Sequence, residues 1–135
     1  MQISKLQIAL NEPFDIPAST PQQRKLGGKN TYPTNGLRYA RAAWQALLEK
    51  YKPSRPIAGP VSLAVLLFYH TKSRAVALAP KTSRPDGDNL LKVIKDAATK
   101  AGWWIDDAQV YDEHITRYWT SEEERVKINV LDQDM

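Results

Sequence analysis

Residues 83–114 read SRPDGDNLLKVIKDAATKAGWWIDDAQVYDEH. Leu90, Val93, Ile94, Ala97, Ala98 and Ala101 recur at helical spacing, and Lys92, Lys95, Asp96, Thr99 and Lys100 fall on the opposite side. This periodicity predicts an amphipathic helix over about residues 89–101. Asp88 stands where an N-cap belongs, and Gly102 suits a left-handed cap at the other end. Beyond a turn at Trp103–Asp107 the pattern changes to alternation. Two aspartates one residue apart, Asp86 and Asp88, therefore open a helix, and two adjacent ones, Asp106 and Asp107, follow its end.

Working outward, VSLAVLLFYH (61–70) is rich in branched and aromatic residues and reads as a central strand. Residues 35–52 place Leu37, Ala40, Trp44, Leu47, Leu48 and Tyr51 on one helical face, with Thr34 or Asn35 as cap and Pro53 and Pro56 beyond the end. ISKLQIAL (3–10) reads as a short strand, and residues 109–119 and 125–131 alternate as a hairpin joined by SEEE. Residues 11–34 hold Pro13, Pro17, Pro21, Pro33, Gly27 and Gly28, and read as a long loop, basic and flexible over 18–33. Residues 71–85 form a second basic loop, with AVALA a short strand or turn inside it. The order β-α-β-α-β-β, without a repeat or boundary, predicts a single α+β domain over residues 1–135: a mixed sheet with two main helices packed on it.

The hydrophobic fraction of 42% and charged fraction of 25% are those of a soluble globular protein. There is no cysteine, which excludes disulfides and thiolate-bound zinc and suits a reducing cytoplasm. The start lacks a signal-peptide pattern, and the longest apolar run, VSLAVLLFY, is too short to span a bilayer as a helix. The net charge of +4 is unevenly spread: residues 1–60 carry nine Lys or Arg against three acids, the remainder ten against twelve. Arg24, Lys25, Lys29, Lys72, Arg74, Lys81 and Arg84 mark candidate phosphate contacts for a polyanionic partner, without base specificity.

Taken singly, Asp88 reads as a cap and Asp86 as a turn residue. A calcium loop of the EF-hand kind is excluded, because its fifth and twelfth positions fall on Leu90 and Ala97. The second acid pair points elsewhere. A strand returning from the turn near Asp107 would set one of its carboxylates beside Asp86 and Asp88. Three crowded carboxylates repel unless a divalent cation sits among them, and oxygen-only ligands favour Mg²⁺ or Mn²⁺. Lys92 lies one helical turn after Asp88, where its ammonium can meet a phosphate oxygen; Asp96, a turn further, is placed to hold that lysine. Trp103 and Trp104 suit the core or a dimer interface better than stacking on bases. His70 and His114 have no neighbours at ligand spacing.

The segment RPDGDNLLKVIKDAATKAGWWIDDAQV (84–110) closely resembles the signature of the RusA family of Holliday-junction resolvases, D-x-D-N-L-x-K followed by a helix and an aromatic turn ending in D-D-x-Q-V. Asp86, Asp88, Asn89, Leu90, Lys92, Trp104, Asp106, Asp107, Gln109 and Val110 fill its fixed positions. The resemblance implies a small α+β homodimer that cuts four-way DNA junctions with Mg²⁺ or Mn²⁺. It implies metal-binding and catalytic roles for Asp86, Asp88 and Asp107, a catalytic role for Lys92, and supporting roles for Asp106 and Asn89. Two alternatives stand beside it: a related nuclease acting on forks or flaps, and a non-catalytic DNA-binding dimer.

Overall fold

The computed structural model describes residues 7–18 and 35–132 in full, and the backbone of residues 24–27 and 30–33. Its elements are β1 (Gln7–Pro13), β2 (Arg24–Gly27), β3 (Asn30–Pro33), α1 (Asn35–Glu49), β4 (Val61–His70), α2 (Gly87–Ala101), β5 (Val110–Thr120) and β6 (Arg125–Asp132). The expected α+β class and mixed sheet are found. Four strands form the sheet in the order β1-β6-β4-β5. β4 pairs parallel with β5, and β6 runs antiparallel to β1 and β4 on either side.

The strand alternation decides which face is covered. Val61, Leu63, Val65, Leu67 and Tyr69 of β4 are buried, as are Val126, Ile128 and Val130 of β6. They meet Leu37, Trp44 and Leu48 of α1 and Leu90, Ile94 and Ala98 of α2 in one core. Ala9, Ala64, Thr116 and Asn129, on the opposite face, stay exposed. Because β1, β4 and β5 all run one way, the two helices that return the chain between them run side by side in the other. Their C-terminal ends are tied by the Trp103 indole N–H, which donates to the Leu48 carbonyl at 2.8 Å.

Two expectations need correction. The basic loop is not structureless: Arg24–Gly27 and Asn30–Pro33 pair as an antiparallel hairpin. Residues 3–6 of the predicted first strand, and Lys29, lie outside the described residues. The predicted β5–β6 hairpin does not form. Alternation makes β6 apolar enough on one face for the middle of the sheet, whereas β5 is only half-buried along most of its length and takes an edge. Glu124 fixes this crossing: its carboxylate accepts from the backbone N–H of Ile16 and of His70, both at 3.0 Å, so the connection passes over the end of β4.

Glu12 on β1 accepts hydrogen bonds from the Tyr51 hydroxyl and, at 3.1 Å, from Lys50, linking the sheet edge to the end of α1. The Tyr51 hydroxyl holds the Glu12 carboxyl below the usual carboxylate range, and Lys50 adds to this against partial desolvation. A depressed carboxyl stabilises the fold fully above the ordinary carboxylate pKa and loses that contribution as pH falls through the folded value. Tyr51→Phe should therefore lower the thermal midpoint near neutrality, and the gap to wild type should narrow below about pH 4. Thermal melts across pH check this; a gap that ignores pH would remove Glu12 as its source.

Candidate active site

Asp86 and Asp88 are delivered by a turn that two cations hold. The Lys81 ammonium donates to the Ser83 carbonyl and hydroxyl, both at 3.0 Å, and to the Arg84 carbonyl at 2.9 Å. The Arg117 guanidinium, from β5, donates to the carbonyls of Ser83 at 3.0 Å and Pro85 at 2.5 Å. Lys81 is 7% exposed, so it is not the phosphate contact that its place in a basic loop suggested. Its ammonium lies 4.6 Å from the Tyr69 ring centre and 5.3 Å from that of Trp119. Burial lowers its pKa from the ordinary lysine value, and Arg117 lowers it further.

The helix then starts two residues earlier than its apolar pattern predicts. Asp86, not Asp88, takes the N-cap position, with φ −68° and ψ 147°, and its backbone carbonyl accepts from Leu90 N–H at 3.1 Å. Its side chain makes no capping bond. Among the described residues neither the Asp86 nor the Asp88 carboxylate has a hydrogen-bond or ion-pair partner, and both are exposed. The positive end of the helix dipole favours such anions. Lys92, a turn further along, is also exposed and has no partner among the described residues. Asn89 beside them is half-buried.

The other end of α2 is built differently. Gly102 closes the helix at φ 91°, a conformation that a side chain would strain. Trp103 and Trp104 are then buried, at 0% and 1% exposure, and the Trp104 indole donates to the Thr99 hydroxyl at 2.7 Å. Both rings belong to the core of one chain, so neither is free to stack on DNA or to form a dimer interface. Asp106 accepts from Ala108 N–H at 2.9 Å, capping a short 3-10 turn. The Gln109 amide oxygen accepts from the N–H groups of Ile105 and Asp106, both at 2.8 Å, and its NH₂ donates to the carbonyls of Ile57 and Gly59. Asp106 is thus occupied in structure. The adjacent Asp107 is exposed, and among the described residues none donates a hydrogen bond to its carboxylate, which separates two acids that local sequence leaves equivalent.

Within one chain, however, Asp107 does not join Asp86 and Asp88. It lines a 320 Å³ hollow with Asp96, Thr99, Lys100, Ile105 and Asp106, alongside the later turns of α2. Asp88 lies two turns back from Asp96, about 12 Å along the axis. Among the described residues no three His, Asp or Glu side chains converge closely enough to hold a metal ion. Asp96 makes no ion pair with Lys92; it faces the hollow instead. Of the predicted phosphate contacts, Lys72, Arg74 and Arg84 are exposed around the turn, while Arg24 and Lys25 lie on β2. Arg117 escaped sequence reasoning. Its signal was a cation in register with Ile115 and Trp119, on the helix-facing side of β5.

These features define an α+β domain whose crossover helix opens on two free carboxylates and a free lysine. The chain matches the family model described as Endodeoxyribonuclease RusA over residues 13–131, and it belongs to that family. It is 38% identical over 70 residues to the crossover junction endodeoxyribonuclease RusA of Escherichia coli strain K12, covering 52% of this chain and 58% of that protein. It is 40% identical over 68 residues to the protein of that name from Lactococcus phage r1t, covering 49% and 52%. The match thus spans about half the length of these curated relatives.

The two acids of the pair should differ in stability tests. Asp106→Ala should cost about 1 kcal/mol and Asp106→Asn almost nothing, because asparagine caps equally well. Asp107→Ala should stay within about 0.5 kcal/mol of wild type. Urea midpoints measure all three; equal losses at 106 and 107 would contradict the division of roles.

Proposed function

We propose that the chain is a divalent-metal-dependent endodeoxyribonuclease that resolves four-way DNA junctions by paired nicks, serving recombination and repair. The observation that carries this reading is the pair of exposed, unpartnered carboxylates at the start of α2, with Lys92 one turn behind, in a chain of the RusA family. A capping role, the ordinary explanation for acids there, is not in use. The names of the relatives support junction DNA as substrate.

In this reading Asp86, Asp88 and Asp107 would hold Mg²⁺, with Mn²⁺ able to substitute. Such an ion supplies charge neutralisation at the scissile phosphate and a bound water of lowered pKa. Lys92 would neutralise a phosphate oxygen as charge builds there. Arg84, Lys72 and Arg74 would fix the DNA backbone beside the acids, and the basic hairpin would reach it from the N-terminal side.

The separation of Asp107 from Asp86 and Asp88 supports the predicted homodimer, since in this reading a second chain completes the site. β5 is a sheet edge. On its outer side residues 117–119 are paired with 78–81, whereas 110–116, paired with β4 on the inner side, have no strand on the outer side among the described residues. Ile105 and Tyr111, at the same end, are 67% and 63% exposed. Two copies meeting antiparallel along these edges, related by a two-fold axis, would bring Asp107 of each towards the Asp86 and Asp88 of the other. Two such composite sites suit two opposed strands of a junction.

Asp86→Asn, Asp88→Asn and Asp107→Asn should each lower junction cleavage by about two orders of magnitude or more while junction binding persists. Labelled four-way, forked and linear DNAs, with Mg²⁺, Mn²⁺ or EDTA, test this and the choice of substrate together. Near-normal cutting by any variant would remove that residue. Mixing Asp86→Asn with Asp107→Asn chains tests the arrangement. Composite sites leave each heterodimer one intact centre, so single nicks should return; dimers that form but stay silent would place each site within one chain.

A further inference from the structure

Lys81 is the one buried charged side chain among the described residues, and no step above uses it directly. Burying an ammonium is costly unless its hydrogens are satisfied. Here three hydrogens meet three acceptors, all in the next three residues of the chain: Ser83 carbonyl, Ser83 hydroxyl and Arg84 carbonyl. Tyr69 and Trp119 offer it two aromatic faces, which attract a cation. Arg117 completes the grip through Ser83 and Pro85, so three consecutive carbonyls are fixed by cations immediately before Asp86.

We infer that Lys81 is a positioning residue for the cleavage reaction: it touches neither DNA nor metal, and it sets the aim of the Asp86 carboxylate by immobilising the turn 83–85. The inference rests on Asp86 acting as a metal ligand. Asp88 and Lys92 lie inside α2, whose packing through Leu90, Leu91, Val93 and Ile94 fixes them whatever the turn does. Asp86 has extended backbone and no side-chain bond of its own, so its direction depends on the residues that lead into it. A locally hydrogen-bonded turn would suffice for a plain surface loop. Two cations converging on one carbonyl repel each other, and that cost is offset by the carbonyl acceptors, the two aromatic faces and the attraction of Glu124, all of which hold the turn in one position.

The test is Lys81→Met, which keeps the stem between the two rings and removes the charge. Junction affinity in EDTA should equal that of wild type. The Mn²⁺ concentration for half-maximal cleavage should rise about tenfold or more, as for other residues that orient metal ligands, and excess Mn²⁺ should restore most of the rate. Mn²⁺ titration of the DNA-free protein by calorimetry should show the same weakening. If Lys81→Met does not fold, Arg117→Gln, which frees the Ser83 and Pro85 carbonyls from a half-exposed position, is measured in the same way. A folded variant of either kind with unchanged Mn²⁺ requirement overturns the inference alone. Normal cleavage by Asp86→Asn overturns the carboxylate reading and the inference with it.

Discussion

Parallel pairing of β4 with β5 is the constraint on which the rest depends. Two parallel neighbours cannot be joined by a tight turn; the chain must travel back the length of the sheet before starting the second strand. In this protein α2 makes that journey. Its fifteen residues span about 22 Å, so residues that flank it in sequence lie at opposite ends of the sheet. The acids before it and the acids after it are separated for that reason alone. In the proposed reading, a second chain would complete a site that needs all of them.

The two ends of α2 solve the same problem by different physics. At the C-terminal end, Gly102, two buried indoles, Asp106 and Gln109 hold the turn through ordinary hydrogen bonds, and the Asp106 carboxylate is spent as a cap. At the N-terminal end the helix is left without a side-chain cap, and its lead-in is gripped by Lys81 and Arg117. The carboxylates there stay free for ligands from outside. The contrast separates Asp106 from Asp107 and joins Asp107 to Asp86 and Asp88 in chemical availability, though not in space.

The parallel course of α1 and α2 follows from the same topology, since β1, β4 and β5 share one direction. The Trp103–Leu48 bond then locks the helix ends together. Both helix N-termini, with their positive dipole ends, point towards the end of the domain that holds Asp86 and Asp88. Arg38 and Tyr39 at the start of α1 and Arg84 beside α2 are exposed there. The carboxylates of Asp86 and Asp88 are therefore flanked by positive charge at that end.

The sequence by itself determined most of the elements and the candidate site residues. Periodicity identified both helices and the central strand, and the recurrence of acids at both ends of one helix, Asp86 and Asp88 before it and Asp106 and Asp107 after it, marked them as site candidates. Only the tertiary structure decided the neighbours. Alternation shows that residues 109–119 and 125–131 are strands, but not that β6 belongs between β1 and β4, because register is local and strand order is a property of the whole core. Adjacent Asp106 and Asp107 differ only through the bonds that Ala108 and Gln109 make in three dimensions. Lys81 looks like a surface cation until β4 and β5 fold two aromatic rings around it. For β6 and Lys81 the deciding contacts join residues far apart in the chain, where no local pattern reaches; for the acid pair the bonds are local, but the turn that makes them is held by Gln109 on the distant Ile57 and Gly59 carbonyls.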